Sequence, residues 1–265
     1  MNKSDYSGAL KSAIVAARAA GDLMRKNLNA TKKVNQHAAH DIKLDLDVRC
    51  QHLIERQLAK AFPAIAVLGE EGESSHANPS ARWVIDPIDG TVNFAYGIPH
   101  ACVCIALQVR SRAKAAEVDD GYATVVGVIY DPFMDELWSA VVGGKARLNG
   151  KPIRVSPRRR LGDAIAAMGY GKTEQTMGEA LRVFQKMSQS TRKMRNMGAA
   201  GIALAYVACG RFDAYLERGI SLWDIAAGGL IVECAGGEFW RERMPGGTYR
   251  MIASNGQLRK QIQSL

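Results

Sequence analysis

The sequence predicts a mixed α and β protein folded as one globular unit. Three observations carry that reading: a helical period near the start, a run of strand-like segments between turn residues up to residue 142, and an alternation of helical and strand-like segments after Pro157. In residues 4–28 the side chains of Leu10, Ile14, Val15, Leu23 and Met24 recur near a 3.6 period among many alanines, the pattern of an amphipathic helix. A second helix is expected over about 48–61, ended by Phe62-Pro63, and residues 65–69 then form a short buried strand. Strand character returns at 83–85, 102–109, 124–130 and 136–142, with Gly143-Gly144 and Asn149-Gly150 as turns. Beyond Pro157, helices at about 176–188 and 199–209 alternate with short strands at 165–168, 214–216, around Phe239 and at 251–253. There is no internal repeat or long linker. Residues 1–150 and 151–265 are therefore read as an N-terminal α+β half and a C-terminal α/β half of one unit, 1–265, joined near 142–152.

Composition narrows the function classes. The chain of 265 residues is 47% hydrophobic and 23% charged, which excludes a disordered or fibrous protein. Apolar runs such as 202–209 fall well short of the ~20 residues of a membrane-spanning helix. No short basic region followed by an apolar core opens the chain. The expectation is a cytoplasmic protein with no membrane partner. Five cysteines, an odd number without a C-x-x-C pair, read as reduced thiols, and Cys102 and Cys104 alternate within an apolar run and so share one strand face. The histidines His37, His40, His52, His76 and His100 have no mutual metal-ligand spacing, and residues Gly169 to Thr173 lack the spacing of a nucleotide P-loop. The net charge of +9 is concentrated in 151–200, where eleven Lys or Arg face three acids, most densely at Arg158-Arg159-Arg160 and Arg192-Lys193-x-Arg195. Such a field suits an anionic partner, a phosphorylated metabolite or nucleic acid, or it is simply a solvated face. Nucleic acid is the less favoured partner, because no aromatic side chains interleave the arginine run as a base-stacking surface requires.

The richest segment runs from Trp83 to Phe94 and contains Asp86-Pro87-Ile88-Asp89-Gly90-Thr91. In an unbroken strand Asp86 and Asp89 would face opposite sides of the sheet. Pro87 removes a ladder donor and favours a turn, and that turn can bring both carboxylates to one site. Two such groups repel unless a proton or a hard cation lies between them, and an oxygen-only donor set suits Mg²⁺. If a helix begins at Gly90-Thr91, its free N–H groups and the Thr91 hydroxyl form a phosphate cradle. Glu70-Glu71 follows the strand at 65–69, and Asp224 opens a Gly/Ala-rich helix. Each has a plain alternative, an Asx turn, an exposed acidic turn and a helix cap respectively. Their coincidence is what points to a site.

Gly69-Glu70-Glu71, the Asp86 to Phe94 motif with Gly97-x-Pro99, Gly198-Ala199-Ala200, the Asp213 to Glu217 stretch and Trp223-Asp224-x-Ala226-Ala227-Gly228 together resemble, in order and spacing, the signature of the inositol monophosphatase family. The resemblance covers nearly the whole chain. It implies an α+β fold, a layered α-β-α-β-α sandwich of the inositol monophosphatase and fructose-1,6-bisphosphatase type, commonly a homodimer. It also implies lithium-sensitive, Mg²⁺-dependent hydrolysis of a small phosphate monoester, with myo-inositol monophosphate as the leading substrate, by a two-metal in-line attack of water. On this resemblance Glu70, Asp86 and the Ile88 carbonyl hold one cation, and Asp86, Asp89 and Asp224 a second. Glu70 and Thr91 position the water, Gly90 and Thr91 hold the phosphate, and Asp47 marks a weaker third cation. Asp89, Gly198, Ala199, Ala200 and Glu217 face the alcohol part of the substrate. Related phosphatases act on fructose 1,6-bisphosphate, histidinol phosphate or 3′-phosphoadenosine nucleotides, and some members associate with the transcription machinery. Two positions depart from the family pattern: Leu44-Asp45-Leu46-Asp47 replaces Thr-x-x-Asp, and Tyr170 stands where inositol-specific members tend to have serine.

Overall fold

The computed structural model describes residues 3–38, 41–73, 80–111, 120–171 and 174–264. Helix α1 (Lys3–Asn27) is followed by an antiparallel pair, β1 (Val34–Ala38) and β2 (Asp41–Leu44), and by helix α2 (Asp45–Ala59). Strands β3 (Ala66–Gly69), β4 (Gly72–Glu73) and β5 (Ala81–Asp89) lead into the short helix α3 (Thr91–Ala95). Next come β6 (Cys102–Arg110), β7 (Tyr122–Asp131), β8 (Glu136–Val141), β9 (Arg147–Leu148) and β10 (Lys151–Pro152). The remainder comprises β11 (Ile165–Met168), α4 (Glu174–Ser190), β12 (Lys193–Arg195), α5 (Ala200–Ala208), β13 (Ala214–Ile220), α6 (Leu222–Cys234), β14 (Glu238–Arg243), β15 (Tyr249–Ser254) and α7 (Arg259–Gln263). One sheet has the order β10-β9-β8-β7-β6-β5-β3-β4 and a second the order β12-β11-β13-β15-β14.

Alternation along the strands sorts their side chains into layers. On the first sheet Trp83, Ile85, Val103, Ile105 and Val128 face α1 and α2, whose small residues Ala13, Ala17 and Ala20 are fully buried and let α1 lie close. Val84, Cys102, Cys104, Ala106 and Ile129 face the other way, into a cluster with Ile202 and Leu204 of α5 and Ile225 and Ile231 of α6. The same cluster takes in Ala167, Tyr215 and Met251 of the second sheet. The alternate residues of that sheet, Ala166, Met168, Leu216 and Ile252, turn outward to Ala180 and Met187 of α4 and Ile262 of α7. Helices α5 and α6 are buried between two sheets, which is why they are apolar nearly all round. The result is the α-β-α-β-α sandwich.

Most expected elements are present, the Asn149-Gly150 turn among them, and two differ instructively. Helix α2 begins at Asp45, earlier than the apolar period suggests, because Leu44 enters it directly from β2 and the Asp47 carboxylate accepts the Leu44 N–H at 2.7 Å. The Asn149-Gly150 turn has φ of +47° and +80° and joins the short strands β9 and β10. The larger difference lies at Pro87. The expected turn there is instead an uninterrupted strand, β5, that runs to Asp89 through a bulge.

Candidate active site

The bulge creates the site. Asp86 pairs with Cys104 and Asp89 with Cys102, so three steps along β5 oppose two along β6. The extra residue absorbs the missing Pro87 donor and shifts side-chain parity by one, which puts two carboxylates that an ideal strand would separate onto one face. The Asp86 Oδ1 accepts the Ile88 N–H at 3.0 Å and braces the bulge. Gly90 follows with φ +89°, a conformation that admits glycine, and an added Cβ there would lie 3.0 Å from the His100 carbonyl oxygen. Helix α3 starts directly after it, and the Thr91 hydroxyl donates to the Ile88 carbonyl at 2.8 Å.

Other elements deliver the remaining groups. Asp224 lies in the first turn of α6 and accepts the Ser221 N–H at 2.9 Å, so it is a helix cap and a member of the acidic cluster at once. Asp89 meets the start of α5: its two carboxylate oxygens accept the Ala200 N–H at 3.1 Å and the Gly201 N–H at 2.7 Å. Glu70 follows β3, its N–H donating to the Ile85 carbonyl at 3.2 Å. Single carboxylate oxygens of Asp86, Asp89 and Asp224 all lie within 4.8 Å of one another.

These groups line a cavity of about 640 Å³. Its walls include Glu70, Ile88, Gly90, Thr91, Gly198, Ala199, Ala200 and Glu217, so every expected site residue but Asp47 converges there. Asp47 is buried on α2 with its carboxylate at the Leu44 N–H and is not part of the lining. At the departing position Leu44, the cap offers no side-chain acceptor. Tyr170 does line the cavity, between Gly169 and Gly171, and is half exposed. Its neighbours Lys172 and Thr173 lie outside the described residues, as do His40 and His76 and the side chain of His37.

Burial sets the electrostatics. Loss of solvation raises the Asp86 pKa well above the ordinary carboxylate range, and the nearby charges of Glu70, Asp224 and Asp89 raise it further. Burial, followed by the Asp224 charge, pushes Asp89 up to about 7 against the lowering effect of its hydrogen bonds from Gly201, Cys102 and Ala200. A crowded, buried set of oxygen donors that holds protons this tightly lacks positive charge, which a hard divalent cation supplies. The donor chemistry therefore fits a metal of that class.

Two contributions are not evident from residue type. The Asn93 side chain donates to the carbonyl oxygens of His100 and Met197, each at 2.9 Å, and so ties the loop before α5 to the segment after α3. The Tyr215 hydroxyl donates to the Glu217 carboxylate and orients it. Asn93 lies within the recognisable motif; Tyr215 carries no local signal beyond its place two residues before Glu217.

A layered α+β sandwich with an acidic cavity where strand ends meet the first turns of two central helices defines a class of proteins equipped for cation-dependent chemistry. Residues 5–263 match the inositol monophosphatase family, and the chain belongs to it. Among its relatives, Nus factor SuhB of Xylella fastidiosa is 39% identical over 227 residues, 84% of this chain and 78% of that protein. Inositol-1-monophosphatase of Rhizobium meliloti is 37% identical over 203 residues, 76% and 71% of the two chains. The crystal structure of extragenic suppressor protein suhB from Bartonella henselae superposes with a TM-score of 0.86 at 32% identity, covering 97% of each chain.

Proposed function

We propose that this protein is a Mg²⁺-dependent phosphomonoesterase whose substrate is a small phosphorylated polyol, with myo-inositol monophosphate as the first choice. The observation that carries the reading is the convergence of Asp86, Asp89 and Asp224, with Glu70 beside them, on one face of a solvent-reached cavity. The names of relatives such as the Rhizobium meliloti inositol-1-monophosphatase support the substrate class. Glu70, Asp86 and the Ile88 carbonyl are assigned to one cation, and Asp86, Asp89 and Asp224 to another. When bound, such cations supply a water of lowered pKa and neutralise charge on the phosphate and the departing oxygen.

The chain's own groups position the reactants. The Thr91 hydroxyl spends its proton on the Ile88 carbonyl, so its oxygen is left as an acceptor for the attacking water, and Glu70 is assigned the other proton. The backbone N–H groups at Gly90 and Thr91 are assigned to the phosphate. The Ala200 and Gly201 N–H groups hold Asp89 in one orientation, which limits reorganisation as charge develops. Glu217, with Gly198, Ala199 and Ala200, is assigned to the hydroxyl-rich alcohol. Asp47 is assigned to holding the entry of α2 rather than to the reaction.

Phosphate release with Mg²⁺ is to be measured across inositol 1-phosphate, fructose 1,6-bisphosphate, histidinol phosphate and a 3′,5′-bisphosphonucleotide. Preference for the inositol ester, with inhibition by lithium at limiting Mg²⁺, is the expected result. A preference for one of the others would replace the substrate, and no release from any would remove the enzymatic reading. A second reading, a contact with RNA or protein in transcription, is motivated by relatives named Nus factor and by the exposed Arg159, Arg160, Arg192 and Lys193.

A further inference from the structure

The bulge at Pro87 aligns more than carboxylates. The strand face that receives Asp86 and Asp89 also carries their cross-strand partners Cys104 and Cys102, both fully buried. The two sulfur atoms are 3.8 Å apart, and the Cys102 Sγ lies 3.3 Å from the Asp89 Oδ2. One ligand atom from each of Asp89, Cys102 and Cys104 falls within 4.8 Å of the others. Opposite them stands Gly201, where an added Cβ would overlap the Cys104 sulfur and lie 2.9 Å from that of Cys102. A larger residue would displace the thiols from Asp89.

We propose that Asp89, Cys102 and Cys104 form a binding site for a soft divalent cation of the Zn²⁺ class, behind the oxygen-only cluster and sharing Asp89 with it. The spacing carries the assignment. Zinc bonds of about 2.3 Å to sulfur and about 2.0 Å to oxygen at tetrahedral angles give edges of about 3.8 Å between sulfurs and about 3.5 Å between sulfur and oxygen. The sulfur–sulfur edge and the Cys102 Sγ–Asp89 Oδ2 edge match these values to within about 0.2 Å, and the third pair of ligand atoms lies within 4.8 Å. Each thiol releases its proton to solvent as its sulfur–metal bond forms. A water would complete the four positions that zinc takes. Mg²⁺ takes oxygen ligands, whereas thiolates favour zinc, cadmium and other soft ions, so the two donor sets discriminate by chemistry. Two dications that share the single charge of Asp89 repel each other, so Zn²⁺ antagonises Mg²⁺. That consequence rests on the function proposed above, whereas binding itself does not.

Titration of the reduced protein with Co²⁺ as a spectroscopic stand-in for Zn²⁺ separates the two claims. One equivalent is expected to produce sulfur-to-cobalt charge-transfer absorption that Zn²⁺ abolishes. C102S/C104S retains Cys50, Cys209 and Cys234 and is expected to lose the band. The single variants C102S and C104S, each checked for a cooperative melt, keep the test meaningful if the double variant does not fold. At saturating Mg²⁺, the Zn²⁺ concentration that halves phosphate release is expected to rise at least about tenfold in either single variant. Absence of the band in the wild type, or its persistence in a folded cysteine variant, overturns the site. A band in a protein that releases no phosphate supports the site and removes the phosphatase reading instead.

Discussion

At the scale of single residues, Asp86 is the most committed group. It is fully buried, braces the bulge through Ile88 and faces three other acids. Asp86→Asn is expected to lower phosphate release by more than the ~10–100-fold typical of residues that only support a metal ligand, because a shared charge disappears. Near-normal turnover in that variant, measured at saturating Mg²⁺, would remove the metal mechanism. Asp89 yields a prediction about pH. Its carboxyl holds its proton up to about 7 in the folded protein, against a reference value of 3.8. Between these values the folded chain binds a proton that the unfolded chain has released, so this group's contribution to stability falls as pH rises through the window. A cation takes over the role of that proton. The gain in melting temperature on adding Mg²⁺ is therefore expected to be larger at pH 8 than at pH 5, and smaller in Asp89→Asn at the higher pH. An equal or reversed gain would contradict the assignment.

At the scale of elements, the site depends on two helices held face to face between the sheets. Helices α5 and α6 touch where Gly228 meets Leu204, and a Cβ at residue 228 would lie 2.5 Å from the Leu204 Cδ1. Gly228→Ala is expected to cost about 1–3 kcal/mol by overpacking. It should also reduce activity, because α5 presents the N–H groups that hold Asp89 and α6 presents Asp224. Chemical denaturation beside steady-state kinetics checks both parts, and an unchanged unfolding midpoint would show that the helices can separate freely. The same elements explain a limit of periodicity. Helix α2 starts earlier than its apolar pattern because a side-chain cap decides the first turn. Strand β5 continues past a proline because β6 accepts a bulge.

At the scale of the whole molecule, the concentrated positive charge is partly spoken for. Arg158 lies 3.1 Å from the fully buried Asp213, whose carboxylate also accepts from Ser156 and from the Ile165 N–H. Arg160 and Arg192 stand near Asp163, and none of residues 158–160 lines the acidic cavity. Replacement of Arg158, Arg159 and Arg160 by Ser is expected to leave phosphate release nearly intact while costing about 1 kcal/mol, nearly all of it at Arg158 and discounted for its exposure. RNA binding is expected to be weak, and log–log salt titration checks it with a slope of about −0.7 per neutralised phosphate on single strands. Tight binding at physiological salt that the triple change abolishes would instead make this face a partner surface. No helix among the described residues is long and apolar enough to cross a membrane.

By itself the sequence determined most of the longer elements in their order, their apolar faces and the acids assigned to the site, while the β1–β2 pair, β4, β10, β12 and α7 went unread. Each is a local property, written in a period of two or 3.6 or in a short motif such as Asp86 to Asn93. Tertiary structure decided how those acids meet. Whether Asp86 and Asp89 share a face depends on the register of β5 against β6, a pairing between two separate segments, and one extra residue reverses the answer. Cys102 and Cys104 were legible as neighbours on one strand face, yet only that register shows the face to be the acidic one. The tie from Asn93 to Met197 and the grip of Ala200 and Gly201 on Asp89 span more than a hundred residues, a separation that no local pattern encodes.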